Sequence, residues 1–238
     1  MAFIHGSNSS VFVNNTDFSS YFNNIDASRT ADVGETTTFG NDNKTFITGE
    51  KDGTVSLGGF FDATADATLQ PLMGGADFDL FVGYDGTTNG NQCAFGVGNI
   101  TNYAVSSPVG DVVATSVDVQ SDNGFFNGKL NFSGSDTTSG VMGSVVDDSS
   151  SSTNGFGAIV VCTSVSGTSP TFDIKVQHSA DNVTYADLIT FPQITAASSE
   201  VKVVASGTTV NRYIRVFNTI GGSSTPTFNG FVALARTR

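Results

Sequence analysis

Only one short stretch of this chain reads as helix, and nearly everything else reads as strand. Asp62 stands where an N-cap belongs, and Asp66 falls in the first turn, where the helix dipole favours negative charge. Ala63, Ala65, Ala67, Leu69, Leu72 and Met73 form a short amphipathic pattern, and Gly74-Gly75 ends it. Just before it, Val55 and Leu57 alternate with Thr54 and Ser56, giving a strand with one apolar and one polar face. Asp52-Gly53 reads as a turn between that strand and Phe46-Ile47. A lone helix in a β chain has to cover a sheet face or an open end.

The 238 residues leave room for two domains. Charged residues are 13%, with 27 Gly, 20 Phe and no Trp, a mixture that suits short strands joined by polar turns. Charge placement divides the chain further. Residues 1–123 hold fifteen acidic and three basic residues, whereas residues 124–238 hold seven of each. The formal net charge of −12 therefore belongs to the first half. Such a surface should not grip DNA phosphates, although it can face DNA without binding it. The opening MAFIHGSNSS has no long apolar run, so neither a signal peptide nor a membrane anchor is expected. Cys93 and Cys162 each sit in an apolar run and read as buried free thiols.

In the first half, Ser10–Asn14, Ile25–Asp32, Phe78–Tyr84, Cys93–Val97, Ile100–Val105 and Asp111–Gln120 read as strands. The last is the clearest, with Val113, Thr115, Val117 and Val119 on one face. Val33–Asn43 reads as a long polar loop, and loops of that length in compact domains tend to carry function.

Three segments in order, VFVNNTDFSSYF, TTTFGNDNKTFITGEKDGTVSLGGFFD and ITNYAVSSPVGDVVATSVDVQ, resemble the tail tube (major tail) proteins of long-tailed bacteriophages. The resemblance spans essentially residues 1–123. It implies a β-sandwich or half-barrel flanked by one helix, closing six to a ring by edge pairing, with rings stacked into a tube for the genome. It also implies that the loop containing Thr37, Thr38, Phe39, Gly40, Asn41, Asp42 and Lys44 contacts a neighbouring subunit or ring. Asp118 is the candidate lumen charge.

In the second half, Ser133–Gly155 is polar and short of core residues, and its serine run reads as an exposed loop between closely flanking strands. Phe156–Val165 reads as a buried strand, and Phe172, Ile174 and Val176 alternate with polar residues. Tyr185–Phe191, Glu200–Ala205, Asn211–Asn218 and Phe228–Ala235 complete a strand set. SGTSPTF at Ser166–Phe172 and GSSTPTF at Gly222–Phe228 echo one another. The pattern predicts a jelly-roll-like antiparallel β-sandwich. The segment SVSGTSPTFDIKVQHSADNVTYADLITF, followed by VNRYIRVFNTIGG, resembles small sandwich modules appended to phage structural proteins, which implies an outward-facing accessory domain. Tyr185, Arg212 and Tyr213 are its candidate surface-ligand platform.

No enzymatic centre is legible. His5 and His178 are the only histidines, no nucleophile elbow accompanies them, and no zinc, EF-hand or P-loop pattern occurs. The expectation is a non-enzymatic, all-β, cofactor-free virion protein, made in the bacterial host cytoplasm. It would assemble with itself and with other tail proteins such as tape measure and terminator proteins. DNA would pass through without specific binding, and no membrane is involved. The alternative is a capsid decoration or cement protein, or a tail adhesin binding host-surface glycans through residues 124–238.

Overall fold

The computed structural model describes residues 5–237. Its strands, in chain order, are β1 (Ser10–Val13), β2 (Thr16–Asp17), β3 (Phe22–Glu35), β4 (Phe46–Phe60), β5 (Phe78–Thr87), β6 (Gln92–Ser106), β7 (Ala114–Asp136), β8 (Gly140–Asp147), β9 (Phe156–Ser179), β10 (Ala186–Thr190), β11 (Ser198–Val204) and β12 (Tyr213–Arg236). One α-helix, α1 (Ala63–Leu69), lies between β4 and β5 and runs on into a 3-10 turn at Gln70–Leu72. The fold is all-β with one short helix, as the sequence implies.

The chain divides into two compact units. One holds Ser20–Phe78 and Gly96–Phe125; the other holds Met1–Ser19, Asp79–Phe95 and Phe126–Arg238. The division cuts β5 after Phe78, β6 after Phe95 and β7 after Phe125, this last cut falling just past residue 123, and it groups residues 79–95 and the N-terminal segment with the C-terminal one. Local sequence carries no mark of that grouping, because it rests on long-range strand pairing.

In the helix-bearing unit the strands lie in the order β3, β4, β7, β6. β4 pairs with β7 from Thr54 opposite Gln120 to Phe60 opposite Ala114. Gly53, Val55, Leu57 and Gly59 are buried while Asp52, Thr54 and Ser56 are exposed, the period-two signature of a sheet with one dry face. Thr115, Val117 and Val119 of β7 are buried in the same way. Asp62 caps α1 by accepting from the amides of Thr64 (2.8 Å) and Ala65 (3.2 Å). The helix buries Ala65 and Leu69, whereas Met73, read as part of its apolar face, is exposed.

Two local readings change. Asp52-Gly53 is no turn: β4 runs straight through it, with Gly53 opposite Arg29. Glycine is needed there for close approach, since a Cβ on Gly53 would lie 2.9 Å from the Phe125 ring. The loop read over Val33–Asn43 begins later, because β3 continues to Glu35.

The other unit is a β-sandwich built on two 24-residue strands, β9 and β12. They pair antiparallel along their length, from Tyr213 opposite Ser179 to Arg236 opposite Phe156. The register is interrupted near Gly221–Thr227, where Ser223 meets Thr168 and Thr227 meets Ser166. The two echoing segments are therefore partners in a paired bulge. Ser169, Ser224 and Thr225 take positive φ there, and Pro170 and Pro226 sit where no ladder amide is required. Strands expected as separate pieces are thus single strands bent at the bulge. Residues on both sides of it share one core: Ala158, Val160, Cys162 and Val232 pack with Phe172, Ile174, Val176, Ile214 and Val216. The bulge is the corner at which both strands pass between the sheets. A second core, with Phe12, Phe81, Phe95, Ile159, Val161 and Phe231, lies on the other face of the first half of β9. The stretch read as polar and short of core residues, Ser133–Gly155, contains the end of β7 and all of β8, with Met142 buried. Its two short apolar pairs are too brief to show a period, and pairing with β12 supplies the order.

Candidate self-assembly and ligand surfaces

Register places Asp26 of β3, Ser56 of β4 and Asp118 of β7 in one cross-strand row. Ser56 donates its hydroxyl to Asp118 Oδ1 at 2.6 Å, and Asn102 Nδ2 donates to Oδ2 at 2.9 Å. These two bonds favour the charged form and hold the Asp118 carboxyl below its usual range. Asp52 lies on the same face and accepts from Gln120. Arg29 and Lys51 alternate to the opposite face, so this acidic surface carries no cation from β3 or β4. Next to Asn102, Tyr103 points the other way and donates to Asp66 of α1 at 2.8 Å. α1 therefore lies against the apolar face and leaves the acidic one bare. Burial and the Asp66 carboxylate push the Tyr103 hydroxyl up to about 12.

Beyond Gly53 the β3–β4 pair loses its third strand, because β7 pairs only with Thr54–Phe60. Residues 46–53 run on with β3 as a two-stranded ribbon. Val33, Phe46 and Ile47 are exposed on it, and Phe39 is exposed on the connecting loop. The loop is tied at its base by the Thr36 amide to the Thr45 carbonyl (2.8 Å) and by Lys44 to Glu35 (3.0 Å). At its tip, the Asn41 amide donates to the Thr38 carbonyl and Gly40 takes φ +98°. Thr37, Thr38, Phe39, Gly40, Asn41, Asp42 and Lys44 are all exposed. At the far end of β4 a second apolar group is exposed, with Phe60, Phe61, Val105, Val109 and Val112. No local pattern marks this group, because Phe60-Phe61 and Val105, Val109 and Val112 come from stretches far apart in the chain.

In the sandwich unit the three platform residues fall into two pairs. Arg212 grips Asp147 through two bonds of 2.6 Å and lies 4.8 Å over the Tyr213 ring. Those bonds bring the Asp147 carboxyl down to about 2. Tyr185 pairs instead with Arg215, whose guanidinium lies 3.7 Å over its ring. Arg215 went unread, although Tyr213, Arg215 and Phe217 alternate with Ile214 and Val216 as an outward face does.

His178 accepts from the Asn211 amide at 3.2 Å, and burial lowers its pKa. Both thiols are free and buried, and burial pushes Cys93 to about 12 and Cys162 to about 11. Among the described residues no group of His, Cys, Asp and Glu is placed to hold a metal, and no helix is long and apolar enough to cross a membrane.

No family model and no curated protein matches the sequence. Several solved structures are similar to it. A chain in the virion of a native gene transfer agent particle is 12% identical, with TM-score 0.43, over 51% of this chain and 95% of that one. The SPP1 tail tube is 12% identical, with TM-score 0.41, over 52% of this chain and 78% of that one. The SPP1 Dit protein, a paradigm of the hub adsorption apparatus in phages infecting Gram-positive hosts, is 9% identical, with TM-score 0.41, over 97% of this chain and 99% of that one. At these identities and TM-scores none of the likenesses carries a function over to this chain.

Proposed function

We propose that this chain is a self-assembling structural subunit of a bacteriophage tail tube. The observation that carries the reading is the surface of β4. It exposes apolar residues at both ends, Phe46 and Ile47 at one and Phe60 with Phe61 at the other, and an acidic, cation-free face between them. Its fifteen residues span about 50 Å, so the two apolar ends belong to different contacts. Unlike ends that meet head to tail produce stacks, whereas a self-complementary patch would stop at a dimer. Among the described residues β3 pairs only with β4, which would leave its other edge to a neighbouring copy. Edge pairing would close a hexameric ring. The ribbon and the loop from Thr37 to Lys44 would reach the next ring, and the face bearing Asp26, Asp52 and Asp118 would line the lumen. Of the residues in this unit, twelve are acidic and three basic, so DNA phosphates would be repelled and slide. The protein would then reside in the virion tail and meet other tail proteins at the tube ends, with no catalytic role.

Negative-stain electron microscopy of the concentrated protein tests this. Hollow tubes of stacked rings are expected. Closed rings that never stack would assign the chain to a tail hub. Small particles that bind capsid faces, and not tails, would overturn the reading in favour of a decoration protein.

A further inference from the structure

Arg215 sits on the outer face of β12 in an arrangement that the assembly reading does not use. Its guanidinium lies 3.7 Å over the Tyr185 ring and 5.3 Å from that of Phe217. Its Nε donates to Gln177 Oε1 at 2.9 Å. Gln177 Nε2 donates in turn to Asp187 Oδ1 at 2.7 Å, and Asp187 Oδ2 holds Lys175 at 2.6 Å. Asp187 is thus engaged by Lys175 and Gln177, and the Gln177 carbonyl oxygen is turned toward Arg215. Lys44, Lys175, Lys202, Arg212 and Arg236 each have a carboxylate partner, whereas Arg215, like the exposed Arg29, Lys51 and Lys129, has none among the described residues. Its two terminal nitrogens also have no hydrogen-bond partner among them. A half-buried guanidinium clamped by an aromatic ring and fixed through Nε offers its remaining edge for bidentate binding of an anion. Unlike the exposed Arg29, Lys51 and Lys129, Arg215 is half-buried and held in place by Tyr185 and Gln177.

We propose that Arg215, with Tyr185, Phe217 and Gln177, forms a binding site for an anionic saccharide, one whose sugar ring carries a carboxylate or a phosphate. The anion would take the free guanidinium edge. The aromatic side chains would offer their surfaces to the C–H face of the ring, and Gln177 and Lys175, opposite Arg215 and Phe217 in register, would meet hydroxyls. A nucleic acid fits this face poorly, because one free arginine cannot follow a phosphate backbone against so acidic a chain. The site stands independently of the tube reading, since it uses only the sandwich unit.

The test is calorimetric titration of the full-length protein with oligogalacturonate and with oligomeric glycerol phosphate, using neutral dextran and poly-glutamate as comparison probes. Binding of at least one anionic carbohydrate probe is expected, with affinity lost at least about tenfold in R215Q and reduced in R215K, which keeps the charge but loses the planar fork. Y185L should weaken the same binding, and R212Q, which removes an equal charge already paired with Asp147, should leave it intact. Circular dichroism and melting temperature confirm that each variant is folded. The two anionic probes distinguish a carboxylate from a phosphate ligand. Absence of binding by either would overturn the proposal, as would equal loss in R212Q and R215Q. Equal binding of dextran would remove the anion from it, and equal binding of poly-glutamate would remove the sugar.

Discussion

Phe172 and Phe228 pack edge to face at the corner of the sandwich, with ring centroids 5.9 Å apart and both side chains fully buried. They are the last residues of the two echoing segments, so the Pro-Thr-Phe repeat places one ring from each strand beside the paired bulge. Phe132 approaches Phe228 from β7 at 6.2 Å. Truncating either phenylalanine should cost about 3–5 kcal/mol, the usual penalty for emptying a buried aromatic site. The double variant should cost less than the two single ones together, because they share one cavity. Urea unfolding of the three variants measures both effects, and additive losses would show that the rings act separately.

Gly53→Ala tests the meaning of that glycine. Its Cβ would meet the Phe125 ring at 2.9 Å. The expected loss is about 1–3 kcal/mol from overpacking. Phe125→Leu should relieve part of it, which thermal unfolding of the single and double variants would reveal. No relief would mean that backbone conformation, and not the ring, requires glycine.

Asp62→Ala should remove about 1 kcal/mol by stripping the cap from the amides of Thr64 and Ala65. Asp62→Asn should retain most of the stability, since the amide oxygen still accepts. Denaturant midpoints compare the two.

The Asp118 carboxyl is lowered in the folded protein by Ser56 and Asn102, so its contribution is present above the unfolded value of about 3.9 and fades as pH falls through the lower folded value. The stability difference between the protein and its Asp118→Asn variant should therefore be flat from neutral pH downward and shrink only in strong acid. An NMR titration of the carboxyl carbon should give a midpoint below about 3.9. A midpoint above it would show that the two hydrogen bonds do not form in solution.

The ribbon double variant Phe46→Ser/Ile47→Ser should abolish stacking without unfolding the chain, because both side chains are already exposed. Phe60→Ser with Phe61→Ser should do the same from the opposite end. Mixing the two variants should give particles no larger than pairs of rings, which light scattering and microscopy would resolve. Undiminished tubes from either variant would remove β4 from the stacking contact.

Local chemistry alone determined several elements of this protein. Alternation over Thr54–Leu57 and Val113–Val119 marked which face is dry, and Asp62 and Asp66 marked the start of α1, because period and capping are set by neighbours in the chain. The exposed loop and the outward position of Asp118 follow from the same patterns. Tertiary structure decided what depends on distant partners. Gly53 looks like a turn until Phe125 arrives beside it. The Pro-containing echoes look like loops until each is found to be the other's partner in one ladder. Arg215 looks like any outward arginine until Tyr185 and Gln177, from other parts of the chain, fix its plane. In each case the deciding contact joins residues far apart in the chain, which a local pattern does not encode.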